Sequence, residues 1–304
     1  KFRSFMEQSF DGMVLVGEDG RVVEWNQALV RITGLTRKQA IGQNYLTLLL
    51  QLTPDDSKAV IAESLERMLM EALSTGQADF LNHVTEWPSQ RAGDVQTRHV
   101  LQHAAFPIRT GARYRLGVII RDITAHKHIE HLLHIQRDLG TALSATSDLR
   151  RGLNEILQAV FQIDGVTAGG VYLVDQSAGT MQLAAQQGLP PDFVKRTSFY
   201  AADTPQAELV RGGRPVYTRY DDLLARLGLT RSAHDLRAIA VIPVTFNGQS
   251  IAALNAASYQ LDDFPLWARD ALESIADLRA SPIDLIRAKE PLPVIQRNLQ
   301  TLFD

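Results

Sequence analysis

The stretch that most constrains this chain is Arg121-Asp122-Ile123-Thr124 and the segment AHKHIEHLLHIQRDLGTALSAT behind it, which ends at Thr146. Strand-like and turn-like sequence stops there, helical periodicity takes over, and a second series of strands begins only afterwards. The chain therefore reads as two folded bodies joined by a helix. Within that helix Ile129, Leu132, Gln136, Leu139, Leu143 and Thr146 recur at alternating spacings of three and four. Such a repeat is the seam of a short coiled coil with one polar core position, and it predicts a homodimer paired through residues 125–146. The same periodicity suits an amphipathic helix lying on its own domain. A domain on each side of the helix favours the coiled-coil reading.

Before the helix, Met13–Val16 and Arg21–Trp25 are short β-rich runs, with Asp19-Gly20 as the turn between them. Asn26 is placed to cap a helix that Gly34 ends, and Thr36 with Gln39 forms a capping box for another that Gly42 closes. Pro54 opens a long helix to about Leu73, with apolar residues at Val60, Ile61, Leu65, Met68, Leu69 and Leu73, stopped by Thr75-Gly76. Three strand-like runs follow near 78–87, 95–108 and 113–122. This order is α+β with an antiparallel sheet.

Residues 1–124 resemble a PAS domain. The resemblance rests on Asp11-Gly12, Asp19-Gly20, Trp25-Asn26, Gly34, Gly42 and the closing Asp122-Ile123-Thr124, all in the order and spacing of that family. It implies a ligand pocket between the long helix and the sheet. His103 lies in phase with Leu101 and Ala105 on the penultimate strand. If that face points inward, His103 and Leu101 line the pocket; an outward or structurally paired histidine is the competing reading. Asn44 and Tyr45 stand where the family's pocket often opens, and complete the set of pocket candidates.

After the helix, a second amphipathic run from Leu149 to Val160 continues it. The strands Gly169–Val174 and Thr180–Ala185 follow, then a short helix at Gln206–Arg211 closed by Gly212-Gly213, and a strand at Pro215–Tyr217. Ala238–Thr245 and Ser250–Ser258 pair across Asn247-Gly248, the strongest hairpin signal in the chain. Phe264 to Leu278 is a closing helix. The segments ELVRGGRPVYTRYDD, AIAVIPVTFNGQSIAALNAASYQLDDF and WARDALESIADLRA resemble a GAF domain, with Pro243, Asn247-Gly248 and Leu254 in the family order and Ala252-Ala253 where a glycine is common. The resemblance implies a second pocket, for which Tyr172, Phe199 and Tyr217 are the aromatic candidates, with plain core aromatics as the competing reading. The expected domains are therefore 1–124 (PAS), 125–146 (helical linker), 147–280 (GAF) and 281–304. In the last of these Ser281-Pro282 restarts a helix, Pro291 and Pro293 form a linker, and Leu299–Asp304 echoes Phe2–Glu7 as the start of a further PAS domain.

Composition removes several functions. There is no cysteine, so neither covalent bilin attachment nor a flavin–cysteinyl adduct is possible, and thiol catalysis of the kind that reduces free methionine sulfoxide is excluded. The long helix carries no histidine from 55 to 73, so haem binding like that of oxygen-sensing PAS domains is not supported. The cyclic-nucleotide GAF signature is missing from residues 147–280. His126, His128, His131 and His134 crowd the linker helix, but no carboxylate cluster completes a metal site, and the stripe is read as a solvated face. Net charge is −3 with both signs interspersed, which does not favour nucleic acid. No apolar run approaches membrane-spanning length, and the start KFRSFMEQSF is no signal peptide. The reading is of a cytoplasmic piece of a longer protein.

Function follows from the two resemblances. They imply a sensory input region of a signal-transduction protein, most simply a two-component histidine kinase, relaying binding of an unidentified small molecule or partner through helical linkers. A regulatory region of a cyclic-dinucleotide cyclase or phosphodiesterase, and a dimerisation module with empty pockets, are the alternatives. The chain shows no ATP loop, phosphoacceptor box or cyclase signature, and no cluster of acid, base and nucleophile, so no enzyme activity of its own is expected.

Overall fold

The computed structural model describes residues 2–92, 94–146, 148–229 and 235–277. The expected helix restart at Pro282, the Pro291/Pro293 linker and the terminal echo lie outside the described residues. The chain divides into two compact units, residues 1–129 and 130–304, and each has an antiparallel sheet flanked by helices.

In the first unit a short helix, α1 (Phe2–Gln8), precedes the hairpin β1 (Gly12–Val16) and β2 (Val22–Trp25). Asn26 then does three things at once. Its Oδ1 accepts from Leu29 N at the start of α2 (Gln27–Thr33) and from Met13 N on β1, while its Nδ2 donates to Met6 O and Asp11 O. A 1% exposed amide is affordable only because every one of its bonds is made. Gly34 ends α2 in the left-handed region at φ 76°. Thr36 and Gln39 form the expected capping box on α3 (Arg37–Ala40). A helix that sequence periodicity did not separate out, α4 (Tyr45–Leu52), comes next, and then the long α5 (Asp55–Thr75). The strands β3 (Val84–Arg91), β4 (Asp94–Thr110) and β5 (Arg113–Asp122) complete a sheet of order β2-β1-β5-β4-β3. The first of these starts six residues later than the run expected from 78.

The unit closes on its last strand. Arg121 donates to both carboxylate oxygens of Asp11 at 2.9 and 2.7 Å. Asp122 accepts from the Thr124 backbone N–H, and Thr124 Oγ1 accepts from Val100 N. Burial alone would raise the Asp122 carboxyl, but hydrogen bonds from His99 and Thr124 outweigh it and bring it down to about 2.

Thr124 opens α6 (Thr124–Ser144). Of the coiled-coil seam expected along this helix, Leu132, Leu139 and Leu143 are used inside the second unit. Ile135, Leu139 and Leu143 are buried in that unit's core, with Leu132 packed against it. The face still open to solvent carries Ile129 and Leu133, each 59% exposed. The C-terminal part of the amphipathic stripe thus packs on its own domain, while seam residue Ile129 stays open to solvent. The helix also does not run on into the next one: α7 (Leu149–Phe161) starts afresh with Asp148 as its N-cap, accepting from Arg150 N and Arg151 N.

The second unit's sheet has the order β8-β7-β6-β11-β10-β9, formed by β6 (Ala168–Val174), β7 (Met181–Gln187), β8 (Phe199–Tyr200), β9 (Val216–Arg219), β10 (Ala238–Phe246) and β11 (Gln249–Ser258). Asn247 and Gly248 both have positive φ, 49° and 79°, as a two-residue hairpin turn requires. One core layer lies between this sheet and α6, α7 and α11 (Leu266–Asp277). The other lies between the sheet and α8 (Pro191–Thr197), α9 (Pro205–Arg211) and α10 (Tyr220–Arg226). Burial on both faces is why β10 reads as a continuous apolar run and not as an alternation. Pro243 falls beyond Val241, where pairing with β9 stops, so its missing N–H costs no ladder bond on that side.

Candidate functional site

Each unit holds a partly open cavity. In the first it measures about 270 Å³ and lies between α4 and α5 on one side and β3, β4 and β5 on the other. Strand parity sets its sheet wall: Thr85 and Trp87, His103 and Ala105, Leu116 and Val118 alternate inward. Helical spacing sets the opposite wall, with Leu65, Met68 and Leu69 one turn apart on α5, and Tyr45 and Leu49 on α4. Two bonds fasten β3 to the end of α4: Trp87 Nε1 donates to Thr53 Oγ1 at 3.1 Å and Ser89 Oγ to Leu52 O at 3.1 Å.

His103 is the one imidazole on this wall, and its Nε2 is buried with no hydrogen-bond partner. Burial pushes its pKa down to about 4, so the ring is neutral. Burial likewise raises the Tyr45 hydroxyl well above the ordinary phenol range. Of the sequence candidates, Tyr45 and His103 line this cavity. Leu101 faces a water-sized neighbouring space of about 10 Å³, which Tyr45 and His103 also border. Asn44 is exposed and lines neither. Its side chain caps α4 by accepting from Thr47 N at 3.2 Å, a use that a sequence without α4 in it could not reveal.

The second cavity, about 310 Å³, lies between the second sheet and α8, α9 and α10. Tyr172 stands on its sheet side and donates to Thr197 O at 2.8 Å; burial is the largest cause raising its hydroxyl. The Tyr172 and Tyr200 rings pack at 5.5 Å with a 41° tilt. Phe193 and Tyr220 pair across the helical wall, 6.3 Å apart. Arg196, Thr197 and Gln206 add polar groups to the lining; Asn255 also lines it, and its Oδ1 is buried with no hydrogen-bond partner among the described residues.

The other two aromatic candidates are elsewhere. Phe199 is 55% exposed, and its neighbour Tyr200 takes the inward place. Side-chain parity on the two-residue β8 decides this, and the segment is too short to show parity in sequence. Tyr217 sits opposite Ala240, whose side chain belongs to the layer on the far side of the sheet. There its hydroxyl donates to Glu273 Oε1 at 2.8 Å and its ring lies under the Arg269 guanidinium at 5.0 Å. The aromatic search also missed Asn255. The available signal was a single amide in the otherwise small and apolar run Ala252-Ala253-Leu254-Asn255-Ala256-Ala257.

The described residues lining either cavity include no carboxylate or lysine. Among the described residues no group of three or more His, Asp or Glu side chains is placed to hold a metal. His131 of the linker stripe has its Nε2 3.0 Å from Gln162 O. No helix among the described residues is long and apolar enough to cross a membrane.

Residues 1–80 match the family model described as the PAS fold, and residues 146–284 that of the GAF domain. No curated protein matches the chain. Similar solved structures include the GAF domain of an Acinetobacter phosphoenolpyruvate-protein phosphotransferase, 18% identical at a TM-score of 0.46, covering 53% of this chain and 96% of that one. A PAS domain from Colwellia psychrerythraea is 20% identical at a TM-score of 0.31, covering 40% and 93%. The chromophore-binding domain of a Stigmatella aurantiaca bacteriophytochrome is 14% identical at a TM-score of 0.40, covering 90% and 94%.

Proposed function

We propose that this chain, a PAS domain followed by a GAF domain, is the sensory input region of a larger signal-transduction protein whose output is a two-component histidine kinase. The observation that carries the reading is the GAF cavity. It is a partly open, mostly apolar recess, and Asn255 Oδ1 in its wall, unpaired among the described residues, costs free energy until a donor meets it. A small molecule with a hydrogen-bond donor supplies that partner. The absence of a carboxylate or lysine among the described wall residues supports binding without turnover.

The mechanism is linkage. A ligand that binds one arrangement of α8 to α10 more tightly shifts the population toward it, by no more than its difference in affinity for the two. The sheet that floors the cavity is packed on its other face by α6, α7 and α11, so the sheet is the element through which occupancy is felt at the connecting helices. Two copies of the chain assemble as a homodimer in which those helices meet.

Native mass spectrometry of the purified chain against its denatured mass tests the reading. A non-covalent excess that disappears in Asn255→Leu is expected. A clean mass, together with no rise in melting temperature from a panel of small metabolites, would overturn ligand sensing by this cavity.

A further inference from the structure

The first sheet is apolar on both of its faces. An antiparallel sheet packed on one side and wet on the other alternates apolar and polar residues. β1 instead runs Met13-Val14-Leu15-Val16, and β5 runs Leu116-Gly117-Val118-Ile119-Ile120. Val14, Val16, Leu116, Val118 and Ile120 point into the domain's core. The alternate set points away from it and belongs to no core cluster among the described residues. In β10 the same unbroken pattern is accounted for by a layer of helices on each face. The outward set of the first sheet is contiguous. Met13 pairs with Ile119, Ile119 with Ala104 and Ala104 with Val84, one row across β1, β5, β4 and β3. The next row is Leu15, Gly117 and Phe106. A Cβ on Gly117 would fall 2.4 Å from Cζ of Phe106, so the glycine lets that ring lie flat along the sheet. Phe106 is 40% and Val84 60% exposed.

We propose that this outer face is a self-association surface of the chain, on which a second copy packs face to face about a two-fold axis. The proposal rests on the homodimer stated above and adds to its helix contact an independent one; it does not depend on a ligand at Asn255.

Charge at the rim selects the occupant. Asp11 and Arg121 pair at one end of the face at 2.7 Å, Glu18 and Arg115 at the other at 4.0 Å, and Glu86 and Lys127 at the β3 edge at 2.9 Å. Each charge has its counter-ion on the same copy, so the rim is neutral. A nucleic acid or an anionic membrane calls for a net cationic surface, and a basic partner for an anionic one. An identical copy brings the same apolar centre and the same neutral rim, and a two-fold pair must match a patch to itself. An apolar centre inside a polar rim is also how a dimer interface is built. Five strands span about 19 Å and the ten residues of β5 about 31 Å. That is roughly 600 Å² in projection and more with side-chain relief, of the order of the ~800 Å² that each partner of a standard dimer buries. The Lys127–Glu86 pair fastens the first turns of α6 to this rim, so a pair formed here carries two copies of α6 out from one interface.

Sedimentation equilibrium of the whole chain at micromolar concentration tests the contact. Ala104→Lys and, separately, Val84→Lys are expected to weaken self-association by about 100-fold or more, because each puts like charges from two copies onto one apolar surface. Both positions meet solvent in the single chain, so the melting temperature is expected to stay unchanged. A second measurement uses the absence of cysteine from the chain. Packed sheets stand about 10 Å apart, beyond the reach of a disulfide, so a short bis-maleimide is the linker. Ala104→Cys is expected to give a covalent dimer, and Ser74→Cys, exposed at the end of α5, is expected to give none. A wild-type chain that stays monomeric, lysine variants that associate as the wild type does, or linkage no greater at 104 than at 74 would each overturn the proposal. A monomer that still carries the excess mass lost in Asn255→Leu removes this contact and leaves ligand sensing standing; a dimer without any excess mass does the reverse.

Discussion

His103 carries one of the costliest atoms in the first domain. Without ligand its Nε2 is out of water and unpaired, a state worth about 1–3 kcal/mol of lost stability. Replacing it with leucine of similar bulk is therefore expected to stabilise the unliganded chain by about 1 kcal/mol in urea unfolding, unusual for a buried substitution. The same residue gives a pH signature. Its folded pKa, about 4, lies below the ordinary 6.5, so between those values only the unfolded chain takes up the proton. Stability is full above pH 6.5 and falls as the pH drops toward 4, by on the order of 3 kcal/mol. Asp122 works in a lower window, between 3.8 and about 2, and does not overlap. Urea midpoints at pH 7 and 4.5 should differ less in His103→Leu than in the wild type; an identical fall in both would mean that other groups set the slope. His103 was legible from sequence because strand parity with Leu101 and Ala105 extends over five residues. Asn255 was just as legible by composition but was not sought among aromatics, and Phe199 and Tyr200 were not separable, since a two-residue strand has no period.

At the scale of elements, α6 shows how one periodicity serves two structures. A heptad seam and a helix laid on a sheet demand the same spacing, and only packing decides between them. Here Leu139, 4% exposed, belongs to the second domain's core, so Leu139→Ala should cost about 2–5 kcal/mol of that domain's stability. The apolar residues this helix leaves for a homodimer are Ile129, at the start of the seam, and Leu133, exposed one turn apart. The double variant Ile129→Lys, Leu133→Lys is expected to leave folding within about 0.5 kcal/mol and to convert a dimer to a monomer by light scattering; a dimer that persists would move the contact to another surface. Among the helices the sequence reading did not separate out, two differ in their reason. The run Tyr45–Leu52 is apolar on nearly every side, so it shows no helical stripe. Tyr220–Arg226 is a short run of seven residues with the acidic pair Asp221-Asp222 in its first turn, where carboxylates face the positive end of the helix dipole.

For the molecule as a whole, the fold class and the two-body division were readable because capping boxes, glycine stops and the Asn247-Gly248 turn are local signals. The strand orders were not, because β1 beside β5 and β6 beside β11 pair across the length of each domain with no turn between them to announce it. Those long-range pairs close two cores, and no core cluster among the described residues mixes side chains of the two units. Stability should therefore be held in two separate accounts. Leu29 is fully buried in the first core and Leu254 is 1% exposed in the second. Each truncation to alanine is expected to cost about 2–5 kcal/mol. Scanning calorimetry of the whole chain should resolve two transitions, with Leu29→Ala lowering one and Leu254→Ala the other. If either variant lowers both, unfolding of one domain exposes surface that the other needs, and the helix they share carries that coupling even without ligand. If each lowers only its own transition, communication between the sites depends on ligand shifting a population within a folded domain. The output would then respond to a ligand of the second domain's cavity only in chains that keep Asn255.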